Sequence, residues 1–289
     1  MWQKIREDIF NEIGVRVHDG QASIGGGCIN TAVRLKGEGR DFFVKFNAAK
    51  FAEMFVAEAE GLRELAATRT VRVPEPVCWG VAGDMAYLVL EYLDIQSRGK
   101  AAVFGEQLAA LHRTTQAQFG WHRDNTIGAT VQVNTPCADW ISFWRERRLG
   151  FQLALARSNG GGRELQRLGE TLMIELQGFF DGYRPQPSLL HGDLWSGNHG
   201  YLADGAAVIF DPAVYYGDRE ADLAMTELFG GFSAEFYAGY RDAWPVDEGY
   251  AVRKTLYNLY HILNHFNLFG GGYERQALDM LRQLLAEIR

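Results

Sequence analysis

The spacing of hydrophobic and polar residues changes near residue 92. Before it, apolar residues alternate in short runs over residues 15–46 and again around 77–82 and 86–93, which predicts β-strands. Apolar residues at helical spacing predict one helix at the N-terminus and another over residues 51–67. Beyond residue 93 most segments have helical spacing. The pattern predicts an α+β protein with a small β-rich N-terminal lobe, containing one main helix, and a larger, mostly helical C-terminal lobe.

We expect the two lobes to form a single unit, with residues 1–92 in the first lobe and 93–289 in the second. A small hairpin is predicted over residues 200–211, between two groups of helices. The helices of the second lobe are predicted over residues 101–116, 138–156, 163–183, 219–229, 233–243, 249–267 and 273–288.

Composition excludes several classes of protein. The 289 residues are 47% hydrophobic and 22% charged, with a formal charge of −7 and no block of Lys or Arg, so we expect no nucleic-acid partner. No apolar run approaches the roughly 20 residues of a membrane span, and the first ten residues resemble no targeting signal. The cysteines at 28, 78 and 137 have neither disulfide-framework nor metal-site spacing. We therefore expect a cytoplasmic protein without a membrane segment.

A lysine and a glutamate stand out in the predicted N-terminal lobe. Lys45 lies inside the apolar strand FFVKFN, where a charge is unfavourable unless it is paired. In the following helix, Glu58 falls within the apolar stripe between Phe55 and Leu62, whereas Glu60 falls on the polar side. We therefore predict that Lys45 pairs with Glu58. The alternative is a solvent-facing lysine on an edge strand.

The stretch LLHGDLWSGNHG, residues 189–200, concentrates polar side chains between glycines. Asp193 and Asn198 are five residues apart, and Asp211 ends the next apolar strand in VIFDP. A carboxylate base with an amide and a second carboxylate suits phosphoryl transfer assisted by Mg²⁺, which prefers hard oxygen ligands. The alternative is a polar turn in which Asp193 or Asn198 bonds its own backbone.

A glycine turn, SIGGGCIN, lies between two predicted strands. Its glycines let backbone N–H groups approach phosphate oxygens, although a simple hairpin turn has the same composition. It lacks the GK[ST] ending of a Walker loop. The order of glycine turn, strand lysine, helix glutamate, Asp-x₄-Asn and strand-end aspartate is that of the protein-kinase signature set, with HGD for HRD and FDP for DFG. The predicted phosphate-binding glycines are Gly25, Gly26 and Gly27.

The motifs HGDLWSGN and DPAVYYGDREADLAM resemble those of the fructosamine kinase (ketosamine-3-kinase) family, a branch of the aminoglycoside- and choline-kinase-like enzymes. GGGCIN, FVKFN, MFVAEAEGLREL, FGWHRDNTIGATVQVN and DWISFWRERRL strengthen the resemblance, which covers residues 22 to 230 approximately. It implies a protein-kinase-like fold and an ATP- and Mg²⁺-dependent kinase. The implied reaction phosphorylates the sugar 3-hydroxyl of a free or protein-bound ketosamine, and the unstable product then releases the amine.

The resemblance also implies roles for individual residues. Lys45 contacts the ATP phosphates and Glu58 holds it. The hinge that meets adenine through its backbone is formed by Glu91, Tyr92 and Leu93. Asp193 is the catalytic base, and Mg²⁺ is bound by Asn198 and Asp211.

Several alternatives remain open at this point. The acceptor could instead be an aminoglycoside, choline or another sugar, and a pseudokinase is disfavoured by the complete set of site residues. Trp195 is either a wall of the sugar site or part of the core. Asp222 either braces the catalytic loop or caps a helix. His191 is expected to orient the loop, and the helical pair His261 and His265 is not expected to bind a metal.

Cys28 lies in the glycine turn and is a redox candidate. Phosphate-binding amides there would favour a thiolate, which could oxidise or link two chains through a disulfide. An inert small residue is the alternative. We accordingly expect either a monomer or a redox-linked dimer.

Overall fold

The computed structural model describes residues 1–24 and 29–288. The predicted phosphate-binding turn and the redox candidate lie outside the described residues, and their roles stay predictions. These residues are Gly25, Gly26, Gly27 and Cys28.

The N-terminal part is an antiparallel sheet flanked by two helices. Its strands, in the spatial order β1-β2-β3-β5-β4, are β1 (Val17–Ile24), β2 (Thr31–Gly37), β3 (Asp41–Ala48), β4 (Pro76–Ala82) and β5 (Met85–Glu91). Helix α1 (Trp2–Ile13) precedes the sheet, and α2 (Ala52–Ala67) follows β3 after a short 3₁₀ turn. Both helices and all five strands lie close to their predicted positions.

The two faces of this sheet pack against different helices. Ile5 and Ile9 of α1 join Phe42 and Val44 of β3 in one apolar cluster. Because side chains alternate along a strand, Lys45 points to the other face, where α2 packs. The pleat of β3 thus directs the lysine toward the helix that carries Glu58.

The C-terminal part is mostly helical, as predicted. A π-helical segment (Trp144–Gly150) joins α4 to α5. The helices are α3 (Ala101–His112), α4 (Trp140–Phe143), α5 (Phe151–Ser158), α6 (Arg163–Glu175), α7 (Arg219–Leu228), α8 (Ala234–Ala243), α9 (Tyr250–Phe269) and α10 (Tyr273–Glu287).

Short strand pairs bring the loops of the C-terminal part together. The predicted hairpin forms from β9 (His199–Tyr201) and β10 (Ala207–Ile209). Two further antiparallel pairs are β6 (Asn125–Ile127) with β7 (Thr130–Gln132), and β8 (Ser188–Leu190) with β11 (Tyr215–Gly217). Three-residue strands such as these are too short for a recognisable alternation of apolar and polar residues in the sequence.

One continuous apolar cluster joins α2 and its face of the sheet to the C-terminal helices. Trp140 and Trp144 are buried within it, as expected for core residues. No helix among the described residues is both long and apolar enough to cross a bilayer. The α+β fold, with a β-rich N-terminal part and a mostly helical C-terminal part, is confirmed, and the lobe boundary at residues 92 and 93 stays a prediction.

Candidate active site

The side chain of Lys45 joins the N-terminal sheet to the C-terminal part. Its Nζ lies 2.7 Å from Glu58 Oε1 and 2.5 Å from Asp211 Oδ1, and the residue is 5% exposed. Burial alone would lower the pKa of Lys45, but the charges of Asp211 and Glu58 reverse this and raise it. The lysine therefore stays a cation, and the predicted pairing with Glu58 rather than Glu60 is present.

The loop after β8 is held by a buried aspartate of α7. Asp222 accepts hydrogen bonds from the backbone N–H groups of His191 (2.7 Å) and Gly192 (2.8 Å). Burial would raise the pKa of Asp222, but its hydrogen bond and electrostatic interaction with His112 outweigh burial and lower the pKa. Asp218, not Asp222, caps α7 by accepting from the N–H of Glu220. Asp222 thus braces the loop, which decides between the two interpretations left open by the sequence.

The glycine of HGD is required by a close backbone crossing. Gly192 has φ +83°, and a Cβ there would lie 2.0 Å from the carbonyl oxygen of Ala213. The N–H of Ala213 also donates to the carbonyl of His191 at 2.9 Å. Any side chain at residue 192 would therefore separate the loop carrying Asp193 from the segment that follows Asp211.

His191 orients this loop, as expected. Its Nε2 donates to the carbonyl of Phe210 at 3.0 Å, and its Nδ1 accepts from the N–H of Asp193 at 3.3 Å. The imidazole is fully buried, and burial lowers its pKa. Because both ring nitrogens are bonded within the protein, His191 is not available for proton transfer to a substrate.

Asp193 and Asn198 face each other across the loop. The Asn198 amide group donates to the Asp193 carbonyl oxygen (2.9 Å) and to Asp193 Oδ2 (3.2 Å). Burial and the neighbouring charge of Asp211 raise the pKa of Asp193 to about 7. A carboxylate with a pKa near neutrality is suited to accept a proton from a hydroxyl group.

Asp211 is placed by an uncommon backbone conformation. Its φ of +58° lies in the left-handed region, which Asp tolerates better than most residues. Such conformations are concentrated at functional sites, where the surrounding structure stabilises them. Here the turn at the end of β10 brings the carboxylate to Lys45.

A cavity of about 400 Å³ contains the predicted chemistry. The predicted site residues along its wall are Lys45, Glu58, Asp193, Trp195, Asn198 and Asp211. Trp195 is 36% exposed and packs edge-on against Phe229 with 6.1 Å between ring centroids. Trp195 therefore lies at the cavity wall rather than in the core.

Another part of the cavity wall comes from α9 and α10. His265 donates from Nδ1 to the His261 carbonyl at 2.8 Å, and both histidines line the cavity with Asn264, Phe269 and Tyr273. Burial lowers the pKa of His261 to about 3. The sequence predicted two helix histidines that bind no metal and did not assign them to a cavity wall. Polar residues at i, i+3 and i+4 within an otherwise apolar helix were the signal for a cavity wall.

The predicted hinge residues do not line this cavity. The Glu91 N–H donates to the Glu75 carbonyl at 2.9 Å, and the Tyr92 N–H donates to the Asp41 carbonyl at 3.1 Å. The Glu91 carboxylate accepts from the N–H of Glu75 and from Arg72. Within residues 1–24 and 29–288, the Leu93 N–H has no hydrogen-bond partner. Among the N–H groups of the three predicted hinge residues, that of Leu93 is therefore the unbonded one within the described part of the chain.

The donor set fits a magnesium ion bound together with a nucleotide. Asp211 offers a carboxylate, and the Asn198 Oδ1 accepts no hydrogen bond from the described part of the chain. Among those residues, no three His, Cys, Asp or Glu side chains converge as a metal site. Two oxygen ligands suit Mg²⁺, which commonly takes one or two protein ligands and completes its shell with phosphates and water.

Comparison with known proteins agrees with this geometry. A family model described as fructosamine kinase matches residues 1–287. The chain is 50% identical to a probable ketoamine kinase of Synechocystis, over 98% of this chain and 97% of the relative. It is 42% identical to a chloroplastic protein-ribulosamine 3-kinase of Arabidopsis thaliana, over 99% and 88%. The chain belongs to the fructosamine kinase family.

Solved structures confirm the fold of this fructosamine kinase family member. A protein from Haemophilus somnus described as a fructosamine-3-kinase superimposes with a TM-score of 0.91 at 29% identity, covering 99% of this chain and 98% of the other. An aminoglycoside phosphotransferase solved with ADP shares the fold alone, with a TM-score of 0.62 at 13% identity over 100% and 97%. As a member of this family the protein is a kinase with a hydroxyl acceptor, as the sequence predicts.

Proposed function

We propose that this protein transfers the γ-phosphoryl group of ATP to the sugar 3-hydroxyl of a ketosamine, with Asp193 as the base. The observation that carries the proposal is the placement of Asp193, with its raised pKa, in one cavity with Lys45 and Asp211. Family membership and relatives described as ketoamine and ribulosamine 3-kinases support the acceptor class. The fold, without the cavity, would be compatible with many acceptors.

Each of the site residues has a separate role in the proposed phosphoryl transfer. Lys45, held by Glu58, neutralises charge on the ATP phosphates, and the Leu93 N–H binds the adenine edge. Asn198 and Asp211 would hold magnesium, which would supply positive charge to neutralise the transferring phosphoryl group. Asp193 orients the acceptor hydroxyl and accepts its proton as the oxygen attacks in line with the leaving ADP oxygen.

The chemistry of the cavity wall favours a sugar over a polycation. Within the described lining, carboxylates occur only at Glu58, Asp193 and Asp211, which the phosphoryl chemistry already uses. A desolvated polycation such as an aminoglycoside would require additional carboxylates. The aromatic wall, including Trp195, suits the apolar face of a sugar or a single ammonium group. Choline therefore remains the second candidate, because a quaternary ammonium also binds aromatic faces.

A panel of acceptors tests the proposal. ADP release should rise well above the acceptor-free rate with fructosamine- or ribulosamine-modified lysine, because these present the sugar hydroxyls to Asp193. Unmodified lysine is the matched control, and choline and an aminoglycoside test the alternatives. Turnover confined to choline or the aminoglycoside would refute the ketosamine assignment and leave the kinase assignment intact.

We further propose a cytoplasmic location, since the composition has no disulfide framework.

A further inference from the structure

A segment outside the predicted site contacts the polar side of α2. We define the clamp hairpin as residues 119–134, which include β6 and β7. Arg123 of this segment bonds Glu53 and, at 3.1 Å, Glu60. His122 also bonds Glu60 through Nε2 at 3.0 Å. Two successive residues of the clamp hairpin therefore bond acidic side chains spread over two turns of α2.

A second contact joins the clamp hairpin to α2 farther along the helix. Glu64 accepts hydrogen bonds from Trp121 Nε1 at 2.5 Å and from the Tyr216 hydroxyl at 2.8 Å. Trp121 is buried. Glu64 thus bridges the clamp hairpin and β11, and the same helix that presents Glu58 to Lys45 is held from its other side.

Buried amides attach the clamp hairpin to the segment that follows Asp211. Asn125 donates to the carbonyl of Val214 at 2.8 Å, and Gln132 donates to the carbonyl of Ala213 at 3.0 Å. Both amide side chains are buried, where an unpaired polar group would be unfavourable. The clamp hairpin is therefore bonded both to α2 and to the segment that follows Asp211.

Helix α2 and the segment that follows Asp211 are packed so closely that they cannot approach further. Gly61 lies one turn after Glu58, and a Cβ at Gly61 would meet Val214 Cγ2 at 2.9 Å. Because α2 packs against Val214, its hydrogen bonds to the clamp hairpin hold the helix at a fixed distance from the segment that follows Asp211. A rigid helix transmits this position to Glu58 and, through the ion pair, to Lys45.

We propose that Trp121, His122 and Arg123 are positioning residues that act through α2 to keep Glu58 against Lys45. The inference rests on the proposed function only in taking Lys45 as the phosphate ligand. In protein kinases the equivalent Lys–Glu pair forms only when its helix is in place. Here the restraint comes from the same chain, so the pair is held before any substrate binds.

Arg123→Gln is the primary test, with MgATP and adenosine binding measured without an acceptor. We expect MgATP affinity to fall roughly 3- to 30-fold, which lies within the coupling energies found for residues of one network. Adenosine affinity should stay unchanged, because adenosine lacks the phosphates that Lys45 binds. Arg123→Lys keeps the charge but not the forked guanidinium group that bonds two carboxylates, so it should lose less MgATP affinity than Arg123→Gln. It also serves as the control for misfolding.

A double-variant comparison separates positioning from general support of the fold. If Arg123 acts through Glu58, adding Arg123→Gln to Glu58→Gln should cause no further loss of MgATP affinity. Arg282→Gln is the matched control, because Arg282 also pairs with two carboxylates, Glu164 at 3.0 Å and Asp279 at 2.9 Å. A full further loss in the Glu58→Gln background, or equal weakening of adenosine and MgATP, would overturn the inference. These binding data remain decisive even if the acceptor is not a ketosamine.

Discussion

Asp193→Asn will lower turnover by about 10²–10⁴, the usual effect of removing a general base, and will leave MgATP affinity nearly unchanged. Asparagine preserves the size of the side chain but cannot accept the proton of the acceptor hydroxyl. The nucleotide is expected to be held elsewhere, by Lys45, the metal and the hinge. Steady-state turnover and equilibrium MgATP binding, measured on the same preparation, check both parts of this expectation.

The stability of the Asp193→Asn variant gives an independent check. Burial and Asp211 raise the pKa of Asp193 to about 7, so the ionised carboxylate is less favourable in the folded protein than in the unfolded chain. The destabilisation develops as pH rises from the ordinary pKa of aspartate toward 7, and asparagine removes it. Without ligands at pH 8 the variant should melt no lower than wild type, whereas exposed Asp242→Asn should change neither turnover nor stability. Near-normal turnover of Asp193→Asn would contradict the role of Asp193 as the base and would mean that HGDLWSGN is only a polar turn.

Asp211→Asn should lower both turnover and magnesium-dependent nucleotide binding. Charge neutralisation by a bound magnesium would stabilise the transition state by several kcal/mol, so we expect turnover to fall about 10²-fold or more. Lys45 also loses one of its two carboxylate partners. The measurement is a Mg²⁺ titration of ATP binding and turnover, with adenosine binding as the control. An unchanged Mg²⁺ requirement would remove Asp211 from the metal site.

The local parts of this architecture could be predicted from the sequence. The apolar stripe of α2 distinguishes Glu58 from Glu60, because one residue lies within the stripe and the other outside it. Residue type, the spacing of Asp193 and Asn198, and the strand end that carries Asp211 bring the three residues into the same prediction. Each of these inferences uses periodicity or order along a few residues, and hydrophobic patterning determines such features directly.

The parts that could not be predicted depend on contacts between distant segments. Glu220 lies in the first turn of α7, where the helix dipole favours a carboxylate, and is also buried in an ion pair with Arg253 at 2.7 Å. The bonds from Asn125 and Gln132 to the segment after Asp211 join residues more than 80 positions apart. No local pattern encodes such pairs, because the acceptors are backbone carbonyls that every residue possesses.

The position of phosphate in the product tests the central claim most directly. Wild-type protein is incubated with ATP, Mg²⁺ and a ketosamine of lysine, and the product is analysed by phosphorus–proton correlation NMR. The account predicts phosphate coupled to the hydrogen on sugar carbon 3, followed by release of free lysine as that product decomposes. Phosphate on any other sugar carbon, or ATP hydrolysis without transfer to the ketosamine, would contradict it.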